Sequence, residues 1–584
     1  MHIHSNDPHS FYQAGQPKIE KIFWLIMPDF DVQQVTGTAR YEFDKPGETA
    51  LDTRGLAIQR IYGDDGVDIP FMLDEPDSLL GSRLSFSVPD DLEVMITYTT
   101  SPEAHGIQWM SRELAGGHPF VYTQGEAINA RTYIPCQDTP SVKFTFGAQV
   151  IVPLELRGLI AAAHHAGRRE NGVFATEDWE MPFPITSYLI AFAIGDLVSE
   201  ELSDRTRVWA QPHMLEKAAN EFRDIPKLMD AGERLFGDYP FGRYDVLVMP
   251  DAFPYGGMEN PCLSFLTPAL VAGDGSGIST VAHELAHSWT GNLVTNANWD
   301  SFWLNEGWTV WAEDRIVEEV YGVDVAMLGR KLLELEFQDD LRYFEKSGQM
   351  RFTALCPDTS GVDPDDVFSR VPYFKGAQLL TLLEQTVGRA RFDAFALRYI
   401  DTFKYQSIDT ETFLDFAEAE LGKEILDLVR VEEWVYGTGY PKNAPAIQSK
   451  LIESVEYLAL AAQAPASGTP WSALQLQLYL ELLPSTVSQE FVIRLDSVFG
   501  FSSMQNTEVH WSFLVRAVKA GHLELLPKVE IFLRSKGRMK YLKPLFAALA
   551  ETDEGRTHAE RIFADARSSY HPVAVRAVES TLAA

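Results

Sequence analysis

Ala39, Tyr41 and Phe43 alternate with Arg40, Glu42 and Asp44, and Leu92, Val94, Ile96 and Tyr98 repeat the same two-residue spacing. A period of two gives a strand one buried face. Turn signals such as Gly63-Asp64-Asp65-Gly66 separate these runs, and residues 1–202 read as a β-rich domain. The period then changes. Residues 213–237 carry apolar positions at helical spacing, Tyr244–Val248 reads as a strand, and mostly helix follows, giving a second domain over 203–440. The breaker-rich stretch at Gly437-Thr438-Gly439-Tyr440-Pro441 opens a linker at 441–450. Beyond it, Trp511, Leu514, Val515 and Val518 follow the i, i+3, i+4, i+7 pattern with Gly521 as a stop, and Leu525, Val529 and Phe532 repeat the theme up to Gly537. Residues 451–584 therefore read as a helical domain. A chain of 584 residues exceeds one hydrophobic core, so the expectation is a multidomain α+β protein.

Within the second domain runs HELAHSWTGNLVTNANWDSFWLNE, from His283 to Glu306. His283 and His287 are four apart, so a helix places them on one face, where two imidazoles can share a zinc ion. Glu284 between them is a candidate general base. Eighteen residues separate His287 from Glu306, enough to end one helix, cross a loop and enter a second lying against the first. Two His and one Glu leave a zinc position open, which is the catalytic arrangement. Glu313, seven residues beyond Glu306, falls on the same face of the second helix and suits a partner for a zinc-bound histidine.

Upstream lies Gly256-Gly257-Met258-Glu259-Asn260, where paired glycines let the backbone approach a ligand. Glu259 and Glu126 (TQGEAINAR) offer two carboxylates that could hold a free α-ammonium. Tyr373, in VPYFKG, is a candidate donor to an oxyanion. Arg538 and Lys540, in GRMKY, could bind a carboxylate or cap a helix.

Charge narrows the partners. Lys+Arg 49 against Asp+Glu 83 gives a net charge of −34, a surface that repels nucleic acid and anionic membranes. The three cysteines, Cys136, Cys262 and Cys356, form no metal or disulfide pattern, which suits buried thiols in a reducing compartment. The opening MHIHSNDPHS has no basic stretch leading into an apolar run, so a cytoplasmic protein is expected.

Together, GGMEN, HELAH with its distant glutamate, and VPYFKG resemble the gluzincin aminopeptidases. QGEAINARTYIPCQDTPSVK, HSWTGNLVTN, FWLNEG, GRMKYLKPLF and YHPVAV narrow the resemblance to the leukotriene A4 hydrolase branch with its bacterial and yeast aminopeptidases. The resemblance covers essentially the whole chain. It implies a β-sheet saddle, a thermolysin-like zinc catalytic domain and an α-helical superhelix that closes the cleft. It implies one zinc per chain on His283, His287 and Glu306, with Glu284 as base and Tyr373 stabilising the tetrahedral intermediate. Glu259 and Glu126 would bind the amino terminus of a short peptide, and Arg538 with Lys540 its carboxylate. Asp365 matches an aspartate that places water on a lipid epoxide in the animal enzymes. Phe368 stands where those enzymes have tyrosine, however, and Glu126 where they have glutamine. The expected activity is therefore a monomeric zinc aminopeptidase, with additional fatty-acid epoxide hydrolysis as the alternative. With Glu126 and Glu259 engaged by the ammonium, Asp365 is left to meet the first side chain, which predicts good cleavage of N-terminal arginine.

Overall fold

The computed structural model describes residues 7–466, 468–485 and 487–583. The first six residues, part of the stretch read above for a leader, lie outside them. Seven strands form the first sheet: β1 (Ile19–Asp29), β2 (Gln34–Phe43), β3 (Ala57–Tyr62), β4 (Glu93–Thr99), β5 (Lys143–Pro153), β6 (His164–Asn171) and β7 (Phe174–Thr186). Their order is β6-β7-β5-β1-β2-β4-β3, with β1 parallel to β5 and antiparallel to β2. Ala39, Tyr41 and Phe43 on β2 and Val94, Ile96 and Tyr98 on β4 are all buried, as their alternation predicts.

A smaller sheet of four strands includes Phe120–Thr123 and runs directly into the segment from Gln124 to Asp138. That segment has little regular structure, yet every residue in it except Glu126 is buried. Arg131 fixes it. Its Nε donates to Asp138 Oδ2 at 2.9 Å and its Nη2 to the His9 carbonyl at 2.6 Å, all wholly buried. Removing one partner of such a buried pair costs about 3–5 kcal/mol, which keeps the Glu126 loop in one conformation.

A third sheet, of five strands, comprises β8 (Val198–Glu201), β9 (Thr206–Ala210), β10 (Tyr244–Val248), β11 (Gly257–Met258) and β12 (Leu263–Leu266), in the order β8-β9-β10-β12-β11. β8 precedes the boundary expected at 203 but pairs with β9. In that order β11 is an edge strand, and its two residues are the second glycine and the methionine of the glycine-paired motif.

Helices follow. α1 (Ile278–Ala286) carries HELA, and His287 caps it while keeping helical dihedrals (φ −52°, ψ −26°). α2 (Trp303–Tyr321) buries every residue from Trp303 to Ala312, as befits a helix in the middle of a domain. α3 (Val323–Ser347) runs back along it. A π-helical turn at Val371–Lys375 leads into α4 (Gly376–Val387). α2 and α4 meet backbone to backbone: a Cβ on either Gly307 or Gly376 would lie 2.8 Å from the other's Cα. This contact sets Glu306 and the Tyr373 turn side by side.

The C-terminal helices include α5 (Thr507–Lys519), α6 (Met539–Ala550) and α7 (Pro572–Ala583). α5 has two apolar faces. Trp511, Leu514 and Val515 pack with Tyr541 and Phe546 in one cluster, while Val509, Phe513 and Ala517 pack in another. The second cluster includes Leu328 and Leu332 of α3, so it joins the helical domain to the catalytic one.

Candidate active site

His283, His287 and Glu306 converge. His283 Nε2 is 3.2 Å from Glu306 Oε2 and 3.1 Å from His287 Nε2, and His287 Nε2 is 3.7 Å from the same oxygen. Each outer ring nitrogen has its own partner. His283 Nδ1 lies 3.0 Å from Glu313 Oε2, and His287 Nδ1 lies 3.2 Å from Thr309 Oγ1. With the outer nitrogens as donors the two inner nitrogens, 3.1 Å apart, are both acceptors, a pair that only a proton or a shared cation can bridge. Glu306 Oε2, buried, accepts no well-aligned hydrogen bond and has the two imidazole nitrogens as its neighbours. Two imidazole nitrogens, each ring held at its outer nitrogen, and a carboxylate oxygen fit a zinc ion. Burial first lowers the His283 pKa, but the Glu306 and Glu313 carboxylates outweigh it and leave the pKa raised. Burial holds His287 down at about 3, the neutral form a metal ligand needs.

Glu284 is buried beside them, and burial raises its carboxyl well above the usual range, with Glu259 and Glu306 adding to the effect. The paired glycines explain their own presence here. A Cβ at Gly257 would lie 2.6 Å from Glu284 Cγ and closer still to its carboxylate, and one at Gly256 would lie 2.7 Å from Arg538 Nη2. Met258 is buried and accepts at Sδ from Gln124 Nε2 at 3.1 Å.

Glu259 and Glu126 each keep one buried oxygen, Oε1, without a partner. Burial is the main cause of the raised pKa of both, and Glu126 also feels Glu259, Glu306 and Asp365. Two unsatisfied carboxylate oxygens thus lie near the Glu306 carboxylate, an arrangement that calls for a cation. Tyr373 stacks on His283 with ring centroids 6.0 Å apart and planes at 17°, and Phe368 packs edge-on against Tyr373 at 5.8 Å. Its hydroxyl stays protonated, raised by burial and then by Glu306 and Glu126.

Arg538 and Lys540 are at the other end of the cleft, and both already have carboxylate partners. Arg538 Nη1 donates to Glu508 Oε1 at 2.5 Å and to the Tyr541 hydroxyl at 2.9 Å. Lys540 Nζ sits 3.0 Å from Glu508 Oε2 and 2.9 Å from Glu336 Oε1. Glu336 in turn receives Arg370 Nε at 2.8 Å, and that guanidinium lies 5.1 Å from the centre of the Tyr373 ring. A row of alternating charges therefore links the two ends of the cleft. Arg538 precedes α6 at its cap position but makes no side-chain cap bond.

Asp365 is not free. Asn129 Nδ2 approaches its Oδ2 at 3.4 Å, and Arg576 Nη2 approaches the same oxygen at 3.7 Å. Sequence reasoning missed Thr309, Gln124, Glu336, Arg370, Glu508 and Arg576. Only Thr309 left a signal, three residues after Glu306 on the same face of its helix.

Comparison with known proteins identifies the family. Residues 26–189 match the peptidase M1 N-terminal domain, 222–434 the peptidase family M1 domain, and 471–582 the leukotriene A4 hydrolase C-terminal domain. The chain is 34% identical to leukotriene A-4 hydrolase of Xenopus laevis over 97% of both chains. It is 37% identical to human aminopeptidase B over 87% of this chain and 82% of that one. The solved structure of yeast LTA4 hydrolase in complex with bestatin superposes with a TM-score of 0.92 at 31% identity, covering 100% of this chain and 98% of that one. The chain belongs to peptidase family M1, with the three-domain build of its leukotriene A4 hydrolase branch.

Proposed function

We propose that this M1-family zinc aminopeptidase removes the first residue of short peptides that carry a free amino terminus. The observation that carries the reading is the pair of buried, unpartnered oxygens on Glu126 and Glu259 beside the His283, His287 and Glu306 group. His283, His287 and Glu306 would hold one zinc ion per chain. When bound there, zinc supplies Lewis-acid charge that polarises a carbonyl and acidifies water.

The chain's own residues divide the rest of the work. Glu126 and Glu259 receive the α-ammonium, and an N-blocked peptide would leave both charges unpaired, which makes the enzyme an exopeptidase. The peptide backbone lies along the open edge of β11, with Gly256 and Gly257 clearing its path. Glu284 takes a proton from the attacking water and delivers it to the leaving amine, a role suited to a carboxyl whose pKa burial has raised. The Tyr373 hydroxyl donates to the developing oxyanion. Arg538 keeps Nη2 toward Gly256 and the cleft, and with Lys540 would meet the peptide carboxylate.

Epoxide hydrolysis gains no support from the site. Phe368 offers no hydroxyl, and Asp365 is engaged by Asn129 and Arg576. The division into 1–202, 203–440, 441–450 and 451–584 is kept as part of this reading, as is action as a cytoplasmic monomer. The three cysteines are unpaired, in keeping with a reducing compartment, and no helix among the described residues is long and apolar enough to cross a membrane.

A panel of aminoacyl-naphthylamides, with and without a zinc chelator, tests the proposal. Turnover should vanish on chelation, return with added zinc and be absent on N-acetylated substrates. Undiminished turnover after chelation, or on blocked substrates, would overturn it.

A further inference from the structure

Arg576 introduces a charge into the cleft that the proposed chemistry does not use. It stands on α7, in the helical domain, and reaches across the domain junction. Its Nη1 lies 3.0 Å from His105 Nδ1 of the β-rich domain, and its Nη2 lies 3.7 Å from Asp365 Oδ2 of the catalytic domain. All three domains therefore meet at this guanidinium.

Asp365 is well placed to be read by a substrate. Its side chain is 15% exposed, and the amide that approaches it, Asn129 Nδ2, also donates to the Glu126 carbonyl at 3.2 Å. One side-chain amide thus ties Asp365 to the loop that carries the ammonium-binding carboxylate. Tyr255, of the strand-entry turn, feels Asp365, Glu126 and Arg576 at once. The surrounding charges are mixed: Asp363 and Asp366 repel Asp365, while Arg576 offsets them. Arg54 adds to the positive side of the junction, and burial, with Arg576 and Arg54, keeps the His105 ring neutral.

An unshared carboxylate here would favour arginine as the first residue. Arg576 supplies an arginine from within the chain. An incoming arginine side chain must share the carboxylate with it or displace it toward solvent, which its 38% exposed side chain allows at a cost. We propose that Arg576 is a specificity-determining residue: by neutralising Asp365 from the helical domain, it opens the first-residue subsite to neutral side chains and weakens selection for basic ones. The proposal rests on the aminopeptidase reading and refines the substrate range of that site.

The test measures kcat/KM for Arg-, Leu- and Glu-4-nitroanilides on wild type, Arg576→Met, Arg576→Lys, Asp365→Asn and the Arg576→Met/Asp365→Asn double variant. Arg576→Met should raise the Arg/Leu ratio by about three- to tenfold, the worth of one partly exposed charged contact. It should lower the Glu/Leu ratio. Lysine at 576 should hold the ratio near wild type. Asp365→Asn should lower the Arg/Leu ratio, and adding Arg576→Met to it should change nothing further, because the two side chains act through each other. A purely structural loss would reduce all three substrates alike and leave the ratios unmoved. An Arg/Leu ratio unchanged in Arg576→Met, or raised equally in the Asp365→Asn background, would overturn the inference while amide cleavage itself continued. Absence of cleavage of every amide by the zinc-loaded wild type would instead remove the reading on which it rests.

Discussion

Gly257→Ala isolates what the paired glycines do. The new Cβ would start 2.6 Å from Glu284 Cγ, with the carboxylate closer still. Carbon atoms rest at about 3.5–4.0 Å, so the two groups must separate by roughly 1 Å. β11 is hydrogen-bonded to β12 through Gly257↔Leu266 and Met258↔Phe265, and the strand cannot retreat without losing that register. The carboxylate of Glu284 is the softer partner and should move. A misplacement of about 1 Å in a reacting group costs roughly 10²-fold in rate. Glu284 is not among the three groups that face the zinc position, so metal content should stay at one per chain. The assay is kcat on Leu-naphthylamide beside zinc analysis and a thermal melt. A zinc-loaded, folded Gly257→Ala enzyme with kcat within threefold of wild type would refute the steric argument. Gly256→Ala is the control. Its Cβ meets only the end of the Arg538 side chain, so turnover of the carboxylate-free amide should be far less affected.

Three further outcomes are expected. Glu284→Gln should keep zinc but lose about 10²–10⁴-fold in kcat, the range of general-base contributions; metal loss in the purified variant would contradict the role given to it. Tyr373→Phe should lower kcat with KM little changed, since one oxyanion donor contributes about 2.7–4 kcal/mol, and the converse pattern would indicate ground-state binding. Arg538→Ala should reduce kcat/KM for tripeptides about tenfold or more while sparing amides without a carboxylate; equal losses on both would mean that its contacts with Glu508 and Tyr541 are structural.

The parts of this molecule legible in the sequence are those governed by a local period. The two-residue alternation of Ala39, Tyr41 and Phe43 gave β2, and the four-residue spacing of His283 and His287 gave the shared face, although the helix ends one residue short of His287. Glu313 was found because seven residues are two helical turns, and it does meet His283 Nδ1. Family motifs supplied Glu126, Tyr373 and Arg538, none of which has a spacing that demands its role. What remained hidden is long-range. Glu508 and Glu336 reach Arg538 and Lys540 from helices 30 or more residues away in the chain, and no period links them.

The same limit shaped the expectation for Asp365. Read alone, it is an unpaired acid in an acidic cleft and should select arginine. In the folded chain it is held by Asn129 from one domain and approached by Arg576 from another. The cleft follows this rule elsewhere. Carboxylates at its far wall have cations in the chain itself: Glu336 is held down by Lys540 and Arg370 despite its burial, and Glu508 likewise by Lys540 and Arg538. Neither Glu126 nor Glu259 has a lysine or arginine among the groups that shift it, and burial leaves both raised. A buried carboxylate without a cation in its own chain is costly to keep charged. Under the proposed function, Glu126 and Glu259 are the acids for which a substrate ammonium would be the missing charge, and the position of that ammonium would fix which peptide bond lies beside Glu284.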